Sequence, residues 1–86
     1  MNLRYSKKFV ASFRKLSTDD KRTVIHALEL FQDDPFHPSL RNHAIRDKMS
    51  GKRSIAVNND LRIVFTEHGQ DVTLLAIGTH AEVYRQ

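Results

Sequence analysis

Gly51-Lys52-Arg53-Ser54-Ile55-Ala56-Val57-Asn58-Asn59-Asp60-Leu61-Arg62-Ile63-Val64-Phe65-Thr66 decides the fold of this chain. Two runs of apolar residues alternate with polar ones on either side of Asn58-Asn59-Asp60. That pattern reads as a β-hairpin closed by a tight turn. Glu67-His68-Gly69-Gln70-Asp71 is a second turn, and it leads into a third strand from Val72 to Ile77. The stretch closes with Gly78-Thr79-His80-Ala81-Glu82-Val83-Tyr84. Alternation then assigns faces. Ile55, Val57, Leu61, Ile63, Phe65, Leu75 and Ile77 share the face that helices should cover. Ser54, Ala56, Arg62, Val64, Thr66, Leu74 and Ala76 share the other. That second face is small, mixed and carries a positive charge, so an extended ligand such as a nucleic-acid strand or a partner peptide could lie on it.

Upstream the period changes. Leu3-Arg4-Tyr5 alternates and reads as a short first strand, and Ser6 is a helix N-cap. Phe9, Val10, Phe13 and Leu16 then form an amphipathic stripe, with Lys7, Lys8, Arg14 and Lys15 on the wet side. Ser17-Thr18-Asp19-Asp20 opens a second helix, its acids placed where the helix dipole favours them. Val24, Ala27, Leu28 and Phe31 are its apolar stripe. Asp33-Asp34-Pro35 ends it, because the residue before a proline is pushed out of helical conformation. Leu40 to Ile45 is a weak strand. The fold class is therefore α+β: a short N-terminal strand, a two-helix hairpin, then a curved antiparallel sheet of three to four strands.

With 86 residues the chain is expected to form one domain, residues 1–86, with a modest core. There are no cysteines, which removes disulfides and thiolate metal sites. No apolar run approaches the ~20 residues of a membrane span. Met1-Asn2-Leu3-Arg4-Tyr5 lacks the apolar core of a signal peptide. A soluble cytoplasmic protein is the expectation. The net charge is +4 and the isoelectric point near 9.8, which favours an anionic partner, nucleic acid or an acidic protein segment. Asp19, Asp20, Asp33 and Asp34 sit at the two ends of one helix, so the stretch from Arg41 to Arg62 is more basic than the average.

His43, Asp60, His80 and Tyr84 are the groups to weigh for chemistry. Cleaving RNA needs a base for the ribose 2′-hydroxyl, an acid for the leaving 5′-oxygen and cations for the phosphorane. Histidine serves both proton roles near neutral pH, and arginine holds phosphate. Each residue also has a plainer reading. His80 follows the last strand and its ring could cap the strand end; Asp60 could bond locally in its turn. Tyr84 could cover an edge of the core. Arg62 is different, because it stands inside a strand on the face without helices. Zinc is not expected, since no histidine pair falls at i, i+4 and no thiol is present.

On these residues the chain resembles the RelE/ParE toxin superfamily, the toxin halves of bacterial toxin–antitoxin pairs. The resemblance rests on Gly51-Lys52-Arg53, on Asn59-Asp60-Leu61-Arg62-Ile63-Val64-Phe65 and on Ile77-Gly78-Thr79-His80-Ala81-Glu82-Val83-Tyr84. The ending is most similar to the YafQ-like branch, whose members finish strand, Gly-[Ser/Thr]-His, then an aromatic four residues after the histidine. That resemblance implies a metal-free endoribonuclease, without cofactor, cutting mRNA on the ribosome. It implies His80 as the main acid/base, His43 as an upstream histidine, Asp60 as the turn acid and Tyr84 as the terminal aromatic, normally phenylalanine. Arg62 would hold phosphate, with Arg53 and Lys52 as further RNA contacts.

Two positions differ from the YafQ-like pattern. Ala56 replaces a histidine four residues before the turn aspartate, and Ala76 replaces an arginine four residues before the histidine. A weaker site is implied unless Arg53, Lys52 or Arg62 substitutes. The resemblance also implies a cognate antitoxin, acidic and partly disordered, in a hetero-oligomer with the toxin. The same superfamily includes DNA gyrase poisons, so a toxin fold without nuclease activity, or one that only binds antitoxin, is the alternative.

Overall fold

The computed structural model describes residues 1–46 and 51–84, so residues 47–50 of the basic stretch lie outside it. Strand β1 (Asn2–Tyr5) leads to helices α1 (Lys7–Arg14) and α2 (Thr18–Asp33). A 3₁₀ turn over Pro38–Leu40 follows, then β2 (His43–Ala44), β3 (Arg53–Ala56), β4 (Leu61–His68), β5 (Asp71–Thr79) and helix α3 (His80–Tyr84).

The two long helices start where their caps dictate. Ser6 accepts a hydrogen bond from the Phe9 amide at 3.0 Å, and Ser17 accepts one from Asp20 at 3.1 Å. Each satisfies an amide that the first helical turn leaves unpaired. Asp34 adopts a non-helical conformation before Pro35, which ends α2 as the sequence requires.

The strands form one five-stranded sheet in the order β1-β5-β4-β3-β2. Pairing is antiparallel except at one edge, where β1 runs parallel to β5. The sheet is thus mixed rather than wholly antiparallel. Parallel neighbours need a crossover, and the two-helix segment lies within the connection from β1 to β5. Leu40 to Ile45 yields only the two-residue β2. Gly69, at φ +60°, opens a two-residue turn between His68 and Asp71, so β4 and β5 extend further than the alternation suggested.

Phe9, Val24, Ala27, Leu28 and Phe31 from the helices pack on Ile55, Leu61, Ile63, Phe65, Val72, Leu74 and Ile77 of the sheet. Phe31 and Phe65 meet edge to face with ring centroids 5.0 Å apart. One facial assignment needs correction. Leu74, not Leu75, belongs to this core. The register shows why: Val64 pairs with Ala76 while Phe65 pairs with Leu74, so β5 carries one extra residue at Leu75. The bulge moves everything before it onto the other parity.

The opposite face is not bare. Val83 and Tyr84 of α3 pack on Val64, Ala76, Ile45 and Leu75 in a second apolar cluster. The chain's own last turn roofs part of the surface that alternation left free for a ligand.

Ser6 joins both layers. Beyond capping α1, its hydroxyl donates to the bulge carbonyl of Leu75 at 2.8 Å, and its amide donates to Leu74 at 3.0 Å. Ser6→Ala removes the cap and one partner of the bulge together. A loss of roughly 1–2 kcal/mol is expected, read as a lower urea midpoint with an unchanged m-value.

Candidate active site

The sheet register assembles a row of side chains across the α3 face. His43 pairs with Ser54, Ser54 with Val64, and Val64 with Ala76. Directly opposed residues share a face. One step further along, Ala56, Arg62 and Gly78 form the next row.

Helix α3 brings the C-terminal groups over these rows. Its start is fixed by a reciprocal pair: the Glu82 amide donates to Thr79 Oγ1 at 3.2 Å, and the Thr79 amide donates to Glu82 Oε1 at 2.8 Å. This is a capping box. Gly78 lets the helix lie close to the strand, since a Cβ there would stand 3.1 Å from Glu82 Oε1 and 3.2 Å from Glu82 Cβ. His80 and Tyr84, one helical turn apart, meet edge to face with centroids 4.3 Å apart.

Tyr84 is anchored from below. Its hydroxyl donates to Ser54 Oγ at 2.6 Å, and Ser54 is completely buried, at 0% exposure. The adjacency therefore runs His43, Ser54, Tyr84, His80. Both imidazoles are exposed to solvent, and His80 lies against this anchored ring.

His43 is also oriented. Its Nδ1 lies 2.7 Å from the carbonyl oxygen of Arg41. A carbonyl can only accept, so the bond assigns the proton to Nδ1 and leaves Nε2 as the outward lone pair of the neutral ring. Arg41 itself sits in the left-handed region at φ 49°, which is uncommon for a residue other than glycine.

The other sequence-derived residues divide. Asp60 is exposed in the turn between β3 and β4, and its carboxylate makes no hydrogen bond among the described residues. The turn's local bonding falls to Asn58 instead, whose Oδ1 accepts from the amides of Asp60 and Leu61 at 2.8 Å each. Arg62 is half-buried, and its Nη1 donates to the carbonyls of Asn58 and Leu61 at 2.6 and 2.9 Å. It shares the α3 face with His80 but lines a separate small hollow.

Arg53 is not brought to this face. It pairs with the core residue Phe65, so it points to the helix side. There its Nε donates to Asn42 Oδ1 at 2.9 Å, and its guanidinium sits 5.6 Å from the Phe36 ring. Arg53 and Arg62 therefore do not converge. Lys52 is half-buried at the start of β3, where its carbonyl accepts from Ile45 at 2.9 Å. Among the described residues, no three histidine or acidic groups gather closely enough to hold a metal ion. No helix among them is long and apolar enough to cross a membrane.

Sequence reasoning missed two contributors. Ser54 carries no signal until its partner is known. Helix α3 had one, since Thr79-His80-Ala81-Glu82 is a capping box in plain sequence.

The same overall fold recurs in solved toxin structures. YafQ from E. coli strain BL21(DE3) superposes with a TM-score of 0.79 at 18% identity, covering 96% of this chain and 97% of that one. A YoeB/ParE toxin from Agrobacterium tumefaciens gives 0.76 at 14% identity, over 93% and 99%. The E. coli DinJ-YafQ complex gives 0.67 at 18% identity, over 96% and 97%. At these identities the likeness is one of fold. No curated protein matches by sequence. A family model described as the bacterial toxin of type II toxin-antitoxin system, YafQ, matches residues 1–85. The chain belongs to the YafQ family of type II toxins.

The Tyr84–Ser54 bond gives a stability prediction. Tyr84→Phe leaves the buried Ser54 hydroxyl without its donor and is expected to cost about 1 kcal/mol. The double variant Tyr84→Phe/Ser54→Ala should cost less than the two single changes added together. A double-mutant cycle in urea should return a coupling of at least ~0.5 kcal/mol.

Proposed function

We propose that this toxin is a metal-free endoribonuclease that cleaves mRNA on the ribosome. The observation that carries the reading is the line His43, Ser54, Tyr84, His80 on one sheet face, with Arg62 in the adjoining row. His43, with Nδ1 tied to the Arg41 carbonyl, takes the ribose 2′-hydroxyl proton at Nε2. The 2′-oxygen attacks phosphorus, and the bond from phosphorus to the 5′-oxygen breaks. His80 gives a proton to that leaving oxygen, so the products are a 2′,3′-cyclic phosphate and a 5′-hydroxyl. Tyr84, pinned by Ser54, holds the His80 ring and offers a face on which a base can stack. Arg62 balances charge on the phosphorane. Asp60, exposed in the turn between β3 and β4 with an unbonded carboxylate, tunes or orients a neighbouring group.

A cognate antitoxin is the proposed protein partner, by analogy with YafQ solved together with DinJ. An acidic, partly disordered segment would suit the +4 chain and fold across it, giving a hetero-oligomer in the cytoplasm. Between α1 and α2 a hollow of about 350 Å³, lined by Tyr5, Phe9, Val10, Phe13, Ile25 and Leu28, offers it an apolar seat.

One observation favours a second reading, a toxin fold without nuclease activity. Ala56 and Ala76 lie on the α3 face, each only 7% exposed, and neither can move a proton or hold a charge.

Ribosome-bound mRNA incubated with wild type and with His80→Ala distinguishes the two. The substitution should lower cleavage by about 10²–10⁴-fold. Because His80 is exposed, the unfolding midpoint should stay near that of wild type. Intact mRNA with wild type, accompanied by inhibition of DNA supercoiling, would establish the gyrase-poison reading instead.

A further inference from the structure

We propose that Arg41 forms a second phosphate-binding subsite beside Arg62, seating the RNA phosphodiester next to the one whose phosphorane Arg62 faces. The inference rests on the ribonuclease reading above and adds to it a residue, Arg41, that neither the sequence pattern nor the family likeness assigns. Arg41 and Arg62 line one hollow of about 240 Å³ together with Ser39, Ala56, Asn58 and Asn59.

Neither charge is neutralised. Arg41 makes no side-chain hydrogen bond or ion pair among the described residues, and Arg62 bonds only to backbone carbonyls. The Arg4–Asp71 ion pair lies away from both, at the far edge strand. Two uncompensated like charges around one small cavity repel, and an anion between them removes the repulsion.

The site is also built in advance. Arg62 Nη1 is pinned by the carbonyls of Asn58 and Leu61, which leaves Nε and Nη2 without a protein partner among the described residues and the side chain with little rotamer freedom left to lose. Asn58 spends Oδ1 on the turn amides, so its Nδ2 donors are free. Arg41 is held in its left-handed conformation at the end of the 3₁₀ turn, and the same residue's carbonyl fixes His43. Arg41 thus links the rim of the hollow to the candidate base.

Spacing selects a nucleic-acid ligand. Ala56 and Arg62 stand one row beyond Ser54 and Val64, two residues along each strand, or about 6.8 Å. That is comparable to the step between successive phosphates of an extended strand.

The test uses a fully 2′-O-methylated, uncleavable single-stranded RNA, so binding is read without chemistry. The slope of log K against log salt falls by about 0.7 for each single-strand phosphate that the protein no longer neutralises. Arg41→Gln and Arg62→Gln should each lower the slope by ~0.7, and the double variant by ~1.4. Arg41→Lys should retain most of it. Lys8→Gln, which removes the same charge from exposed α1, should leave the slope within ~0.2 of wild type. Circular dichroism confirms that each variant is folded. A folded Arg41→Gln with the wild-type slope overturns the subsite, as does failure of the RNA to bind. So does poly-glutamate that binds as tightly with the same dependence on both arginines, which would make the hollow a seat for an acidic protein segment. A lowered slope in the arginine variants, from a protein that cleaves no mRNA, would sustain the subsite and remove the ribonuclease reading.

Discussion

One extra residue in β5 governs this molecule. Leu75 bulges between Leu74 and Ala76 while β4 continues without interruption from Val64 to Phe65. The core therefore receives Ile77 from one half of the strand and Leu74 and Val72 from the other. Without the insertion, one half of β5 would turn its apolar side chains away from the helices. The bulge also creates the second face. Leu75 joins Val64 and Ala76 there, giving α3 an apolar surface on which to land. Ser6 clamps the bulge carbonyl in the same turn that starts α1, so the first helix, the irregular strand and the terminal helix share one joint.

The helices were legible because their signals are local. Ser6 and Ser17 cap, Pro35 stops, and the apolar stripes have the right period. The hairpin from β3 to β4 was legible for the same reason. The facial order of β5 was not, because a bulge obeys no composition rule and shifts parity silently. The parallel edge was equally hidden. Whether β1 pairs with β5 or another strand depends on how the intervening helices cross the sheet. The roof over the second face is hidden for a different reason: His80 reads as the residue after the last strand, although Thr79 and Glu82 are spaced to begin a helix.

The candidate site divides along the same line. His80 and Tyr84 at i, i+4 could be paired from spacing once α3 is recognised. Arg53 could have been placed correctly from period two alone, since it is two residues before Ile55 and must share its helix-covered face. Ser54 and Arg41 could not have been found this way. Ser54 acquires meaning only because a residue thirty positions away reaches it. Arg41 does so because a left-handed backbone turns its carbonyl to His43 in the same residue that lines the hollow.

Such a chain faces a tension between stability and readiness to bind. An 86-residue domain has little surplus stability, and the cheapest improvement would set an acid among the guanidiniums. Instead Asp60 stands exposed with its carboxylate unbonded, and Arg62 is satisfied only by backbone oxygen atoms. Carbonyl partners orient a guanidinium without cancelling its charge. Five other acids lie elsewhere, Asp19, Asp20, Asp33 and Asp34 at the ends of α2 and Asp71 beside Arg4. Charge left uncompensated at one place, on rigid supports, and compensated at others is the distribution expected of a surface whose missing counterion is another molecule.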